Sequence, residues 1–191
     1  MDTPIARTWL LGLCGSLRRE SYSRAVLDGL APMLPVGTML DSHDLRLPLY
    51  DEDEDGPATP APVRAFRETI AACDGLLIVT PEYNHGIPGV LKNALDWASR
   101  PYGACVLIGK PALIITTSPG FVGGARAQAQ ANETLLSCQA RIVTGPQVVI
   151  GNIAEKIRDG RLVDEPTLRF AAAAIDRLLV ACRETHRPDP V

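Results

Sequence analysis

Short apolar runs alternate with apolar positions at helical spacing along most of the chain. Residues 8–14 read as a buried first strand. In residues 21–34, Val26, Leu27, Leu30, Met33 and Leu34 recur as on one helix face, and Pro35 is expected to stop the helix. Residues 37–41 are a weaker second strand, and residues 45–62, rich in proline and acids, read as loop. Residues 63–73 form a second helix with Val63, Phe66, Ile70 and Cys73 on one face, followed by an apolar third strand at 76–80. Residues 87–99 are a third helix with Ile87, Val90, Leu91, Ala94, Leu95 and Ala98 inward. Pro88 falls in its first turn, where a missing N–H costs nothing. A fourth strand (112–117), a close-packed alanine-rich helix (123–139) and a fifth strand (147–150) follow. Residues 151–163 are an irregular connection. Asp164 caps a fifth helix whose stripe is Leu168, Ala171, Ala172, Ile175, Leu178, Leu179 and Cys182. The proline-containing end, residues 185–191, is expected to fray.

Five apolar strands separated by helices imply a parallel sheet covered on both faces. Right-handed crossovers then give a doubly wound α/β sheet, and five strands favour the flavodoxin-like order 2-1-3-4-5 over the six-stranded dinucleotide-binding order. A length of 191 residues suits one domain spanning 1–191, large enough to bury a core without disulfides or metals. Hydrophobic residues at 46% and charged residues at 21% exclude a largely disordered chain. A formal net charge of −3 gives no case for nucleic acid or an anionic membrane, and 5% aromatics are too few for a base-stacking platform. The apolar run around Trp9–Leu13 is too short for a signal-peptide core, and no stretch approaches a membrane span, so a cytoplasmic location is expected. Five cysteines with no C-x-x-C spacing read as free thiols in a reducing compartment, and three scattered histidines give no zinc site. The acidic run 51–55 lacks the alternating ligands of a calcium loop and reads as a solvated loop.

Doubly wound sheets bind ligands beyond the carboxyl ends of their strands. Three unusual loops stand there. The first, 15–23, follows strand one and has neither a dinucleotide fingerprint nor a Walker lysine. It offers hydroxyls at Ser16, Ser21 and Ser23, the cation of Arg18 and the open amides of a helix start, a set suited to a phosphate dianion. An ordinary capped helix with surface arginines is the alternative. The second, 80–89, carries two prolines and two glycines around Glu82, Tyr83, Asn84 and His85, a backbone stiff enough to present N–H and C=O groups to a flat heterocycle. Turn chemistry with a packed aromatic is the alternative there, and a Glu82–His85 acid/base pair is weakly supported by spacing. The third, 117–124, has glycines that let a ligand approach the backbone, or else make a flexible connector.

Gly15-Ser16-Leu17-Arg18 with Ser21, followed by Pro81-Glu82-Tyr83-Asn84 and the run 88–97, resembles the NADPH-dependent FMN reductase family, nearest its bacterial quinone and chromate reductase branch. The resemblance covers about residues 9–150. It implies a flavodoxin-like fold, non-covalent FMN and NADPH as co-substrate. It also implies a hydride passed through the FMN N5 to a quinone, chromate, azo dye or free flavin, with no protein group as catalytic acid, base or nucleophile. By motif position, Ser16, Arg18, Ser21 and Ser23 would hold the phosphate. Pro81, Glu82, Tyr83 and Asn84 would line the isoalloxazine, and Ser118, Pro119 and Gly120 its other edge. Ser23 stands where many relatives carry asparagine. A flavodoxin-type electron carrier, which would bind FMN without oxidising NADPH, and a flavin-free hydrolase are the competing functions. Trp97 lies off the inward stripe of the third helix and is expected to anchor a homodimer or homotetramer; packing under residues 100–104 is its alternative.

Overall fold

The computed structural model describes residues 7–185; of the expected fray over 185–191, Thr185 instead ends the last helix and the rest lies outside the described residues. The apolar runs become strands β1 (Thr8–Cys14), β3 (Gly75–Pro81) and β4 (Pro111–Thr117), and the weaker run becomes β2 (Thr38–Ser42). All pair in parallel in the order β2-β1-β3-β4, with a divided fifth position at the β4 edge. Strand alternation divides the core into two. Leu10, Leu77, Val79, Leu113 and Ile115 face one side, where α1 (Tyr22–Leu30) and α5 (Glu165–Thr185) cover them. Leu11, Leu13, Leu76, Ile78 and Ile114 face the other, under α2 (Ala61–Ala72), α3 (Gly89–Ala98) and α4 (Ala125–Ser137). This is the doubly wound 2-1-3-4-5 arrangement that the hydrophobic pattern predicts.

The departures have local causes. The first helix ends at Leu30 rather than residue 34, because Pro32 has no amide to continue the ladder and residues 31–33 tighten into a 3-10 turn. The fourth helix is shorter than 123–139: Gly123 and Gly124 at φ 69° and 91° and Gln139 at φ 58° lie outside helical space. The fifth strand is two pieces, β5 (Arg141–Ile142) beside the start of β4 and β6 (Val148–Ile150) beside its end. Gly145 at φ 130° and the amide-less Pro146 carry the chain off the edge between them. Within 151–163 a 3-10 turn precedes a two-stranded hairpin, β7 (Ile157–Arg158) and β8 (Arg161–Leu162). Asp164 does cap α5: its carboxylate accepts the Thr167 amide at 3.1 Å and the Thr167 hydroxyl at 2.5 Å.

Two expectations are overturned. Trp97 is not a surface anchor; it is fully buried. Its indole N–H donates to the Pro48 carbonyl at 2.8 Å, Tyr50 meets it edge-on at 4.8 Å, and the Arg67 guanidinium lies 5.5 Å from its ring centre. The loop 45–50 is its cover, not residues 100–104. Neighbouring Asn93, also buried, accepts the Tyr50 amide and donates to the Pro48 carbonyl, so this face of α3 is specified by a loop rather than by another helix. Nor is the acidic run wholly solvated. The Asp55 side chain is 4% exposed, paired with Arg67 at 2.9 Å, and Arg67 Nε donates to the Trp97 carbonyl at 2.8 Å.

Candidate functional site

The loops after β1, β3 and β4 meet around a cavity of about 100 Å³. Ser16, Arg18, Ser21, Ser23, Pro81, Glu82, Tyr83 and Pro119, all named from the sequence, line it, together with Tyr22 and Thr117, which were not. Asn84, Ser118 and Gly120 fall in the same loops without lining it.

The first loop is fixed by close approach. The Gly15 amide donates to the Val79 carbonyl at 2.8 Å, and a Cβ at Gly15 would lie 2.2 Å from Thr80 Oγ1. Only glycine lets the chain leave β1 this close to β3. Ser21 then caps α1, its hydroxyl accepting the Arg24 amide at 3.2 Å, which leaves the first-turn amides of Tyr22 and Ser23 without intrahelical partners. The Ser23 hydroxyl, almost fully buried, is 3.3 Å from Thr117 Oγ1 and ties α1 to the end of β4. The exposed Arg18 guanidinium sits 5.7 Å from the Tyr22 ring centre.

The second loop is a tight hairpin. Tyr83 and Gly86 exchange two backbone hydrogen bonds, at 2.9 and 3.0 Å, with Asn84 and His85 between them at φ 49° and 67°. Two non-glycine residues in left-handed space carry strain that must be held by their surroundings. Helix α4 does the holding. Gln130 Oε1 accepts the Ile87 amide at 2.6 Å and fills the space a Gly86 Cβ would need. Glu82 accepts the amides of Arg126 and Ala127 at 3.0 and 3.2 Å, supplying the cap that Gly124 lacks. Its carboxylate is thus turned toward a helix N-terminus, where negative charge is stabilised, and the structure records no contact between it and His85. In the third loop Ser118 Oγ accepts the Gly120 amide at 3.1 Å, and Phe121 beyond it is 84% exposed.

Thr117, Gln130 and the Glu82–α4 contact escaped the sequence reading because each joins segments more than forty residues apart. The only sequence signal for Thr117 is its place as the last residue of an apolar run.

The family model for the NADPH-dependent FMN reductase matches residues 8–155. A 2-hydroxy-1,4-benzoquinone reductase of a Burkholderia species is 41% identical over 172 residues, 89% of this chain and 93% of that protein. An NAD(P)H-dependent FMN reductase of Pseudomonas aeruginosa is 42% identical over 158 residues, 82% and 85% of the two chains. Among solved structures, the flavoenzyme NAD(P)H:(acceptor) oxidoreductase FerB of Paracoccus denitrificans superposes with a TM-score of 0.85 at 32% identity, covering 93% of this chain and 98% of its own.

Proposed function

Since this chain belongs to the NADPH-dependent FMN reductase family, we propose that it moves reducing equivalents from NAD(P)H to a small acceptor, with quinones foremost and chromate, azo dyes or free flavin as further acceptors. The quinone reductases among its relatives support the first choice. Bound FMN supplies the hydride chemistry, for which no side chain of the site is suited.

The donor set of the cavity fits that cofactor. Ser16, Arg18 and the Ser21 hydroxyl, with the Tyr22 and Ser23 amides, would hold the phosphate at the α1 N-terminus, where amides and helix dipole both favour an anion. Ser23 offers its amide, and its hydroxyl, 3.3 Å from Thr117 Oγ1, is free to donate to the phosphate when Thr117 is the donor between them. About 100 Å³ has room for the phosphate and part of its chain, and the exposed loop surfaces would take the flat ring. There Pro81, Tyr83 and Asn84 present the stiff hairpin to one edge, and Ser118, Pro119 and Gly120 face the other. Glu82 lines the cavity beside them and also fixes the hairpin to α4. No residue is asked to hold or move a proton. The gathering of Ser16, Arg18 and Ser21 with the start of α1 around one cavity is the observation that carries the reading, and the close approach of Gly15 to Thr80 is what fixes that loop in place.

We further propose a cytoplasmic homodimer or homotetramer. The described cysteines form no disulfide, which suits a reducing compartment. Tyr102 and Ile108 stand exposed beside a groove between α3 and α4, which suits a second copy. The protein reconstituted with FMN and mixed with NADPH without oxygen should bleach near ~450 nm, the flavin's visible band, and regain colour on adding a benzoquinone. Bound flavin that NADPH leaves oxidised would make it an electron carrier instead.

A further inference from the structure

The groove between α3 and α4, of about 800 Å³, holds a pair of thiols that the flavin chemistry does not use. Cys105 lies in the segment after α3, and Cys138 ends α4, thirty-three residues on. The Cys105 thiol donates to the Cys138 carbonyl at 3.5 Å. A carbonyl oxygen is two bonds from its own Cα, so this contact brings the Cys105 sulfur within a side-chain rotation of the Cys138 sulfur. The backbone around the pair is pinned. The Val106 amide donates to the Ala98 carbonyl at 3.1 Å, and the Gly109 amide to the Gln139 carbonyl at 2.8 Å. Both cysteines pack against the core that holds Leu107, Leu135 and Ala140. The Cys138 thiol is pushed up, first by burial and then by Cys105, so the two sulfurs sense each other. The other cysteines differ. Cys14, Cys73 and Cys182 are buried, and burial pushes Cys182 up to about 12. Cys105 and Cys138 are half-buried and line one groove together.

We propose that Cys105 and Cys138 form a reversible disulfide, made by a hydroperoxide entering the α3–α4 groove and undone by a small thiol. The step balances for hydrogen peroxide. The Cys105 sulfur attacks one peroxide oxygen, the O–O bond breaks, water departs, and a sulfenic acid remains on Cys105. The Cys138 sulfur then forms the S–S bond and displaces the hydroxyl, which departs as a second water. Two thiols are oxidised, one peroxide is reduced, and both thiol protons end in water. A small thiol reverses the bridge by exchange and ends as its own disulfide. Burial keeps Cys138 protonated, which assigns it the second step. Hydrogen peroxide is little larger than water, so a second copy over Tyr102 and Ile108 need not exclude it. A reversible pair also suits a reducing compartment, where disulfides are transient rather than structural. Once formed, the bridge closes a loop of thirty-three residues and fastens the end of α4 to the segment after α3.

The test treats the FMN-loaded protein with an excess of hydrogen peroxide, removes the excess, and counts thiols after unfolding. Three of the five thiols should remain, and dithiothreitol should restore all five. Peptide masses without reductant should show Cys105 joined to Cys138, two hydrogens lighter than the separate peptides. Cys138→Ser should leave Cys105 as a sulfenic acid that dimedone traps, and Cys105→Ser should trap none at Cys138. Five thiols remaining in the parent protein overturns the proposal. So does a bridge between other cysteines or between two chains, or oxidation of a single sulfur to sulfinic or sulfonic acid. Dimedone on Cys138 alone overturns the order of the two steps. The thiol count does not depend on whether NADPH reduces the flavin, so a failure here leaves the flavin reading untouched, and the reverse holds too.

Discussion

At Gly15 the sequence spends its smallest residue on the closest approach in the site, and Gly15→Ala should show it. The added Cβ meets Thr80 Oγ1 at 2.2 Å, so the loop must shift and FMN affinity should fall in a fluorescence titration. Arg18→Ala removes a charge-assisted contact of about 1.5–3 kcal/mol, and FMN should bind about ten- to a hundredfold more weakly. Unchanged affinity in that variant would remove Arg18 from the phosphate site. His43 offers a pH handle. Burial, with its ring 5.1 Å from Phe66, pushes it below its ordinary 6.5, against a smaller upward pull from Asp44. Below that pH the unfolded chain takes up a proton that the folded one resists. Stability present above pH 6.5 is therefore lost progressively between 6.5 and the lower folded value. Urea midpoints at pH 8 and pH 5 should differ less in His43→Gln than in the parent.

Among the elements, α4 depends on a residue outside it. Its N-terminus has no cap of its own, and Glu82 at the end of β3 takes two of its amides. Glu82→Ala should cost about 1–2 kcal/mol, the range for a lost cap in a partly buried setting, read as a lower urea midpoint with an unchanged slope. Because the same contact anchors the strained hairpin, the visible spectrum of bound flavin should shift as well. The segment 45–60 depends on Asp55 and Arg67 in a similar way. That pair is nearly dry, so Arg67→Ala strands a carboxylate and should cost about 3–5 kcal/mol. Removing both partners should cost less than the two single changes added together.

For the whole molecule, assembly no longer leans on Trp97. Its indole is buried within one chain, so its emission should stay blue-shifted across a dilution series that dissociates any oligomer. Light scattering on the FMN-bound protein should give at least twice the 20.5 kDa of the chain. A mass of one chain at every concentration would end the dimer proposal, and Tyr102 and Ile108 would then be ordinary surface residues.

The amino-acid sequence by itself determined the parallel sheet, its strand order and the three loops at its carboxyl edge. A strand buried on both faces must be apolar throughout, a helix on one face must repeat at helical spacing, and both patterns are local. That Ser16, Arg18 and Ser21 stand together at one cavity was legible for the same reason, because they belong to a single strand-to-helix junction. The tertiary structure alone decided the contacts between distant segments. Helical spacing showed that Trp97 was off the sheet-facing stripe, but not that residues 45–50 would fold over it. The position of Ser23 in the motif suggested a hydroxyl for phosphate, and only the topology showed that Thr117, ninety-four residues away, lies 3.3 Å from that hydroxyl. Glu82 lines the cavity, as its place in the motif suggested, but only the arrival of α4 beside it made its carboxylate that helix's cap. Cys105 met the carbonyl of Cys138 only when the segment after α3 was laid beside the end of α4. Local periodicity records whether a residue is buried against its own sheet; which partner buries it is fixed by the topology that brings remote segments together.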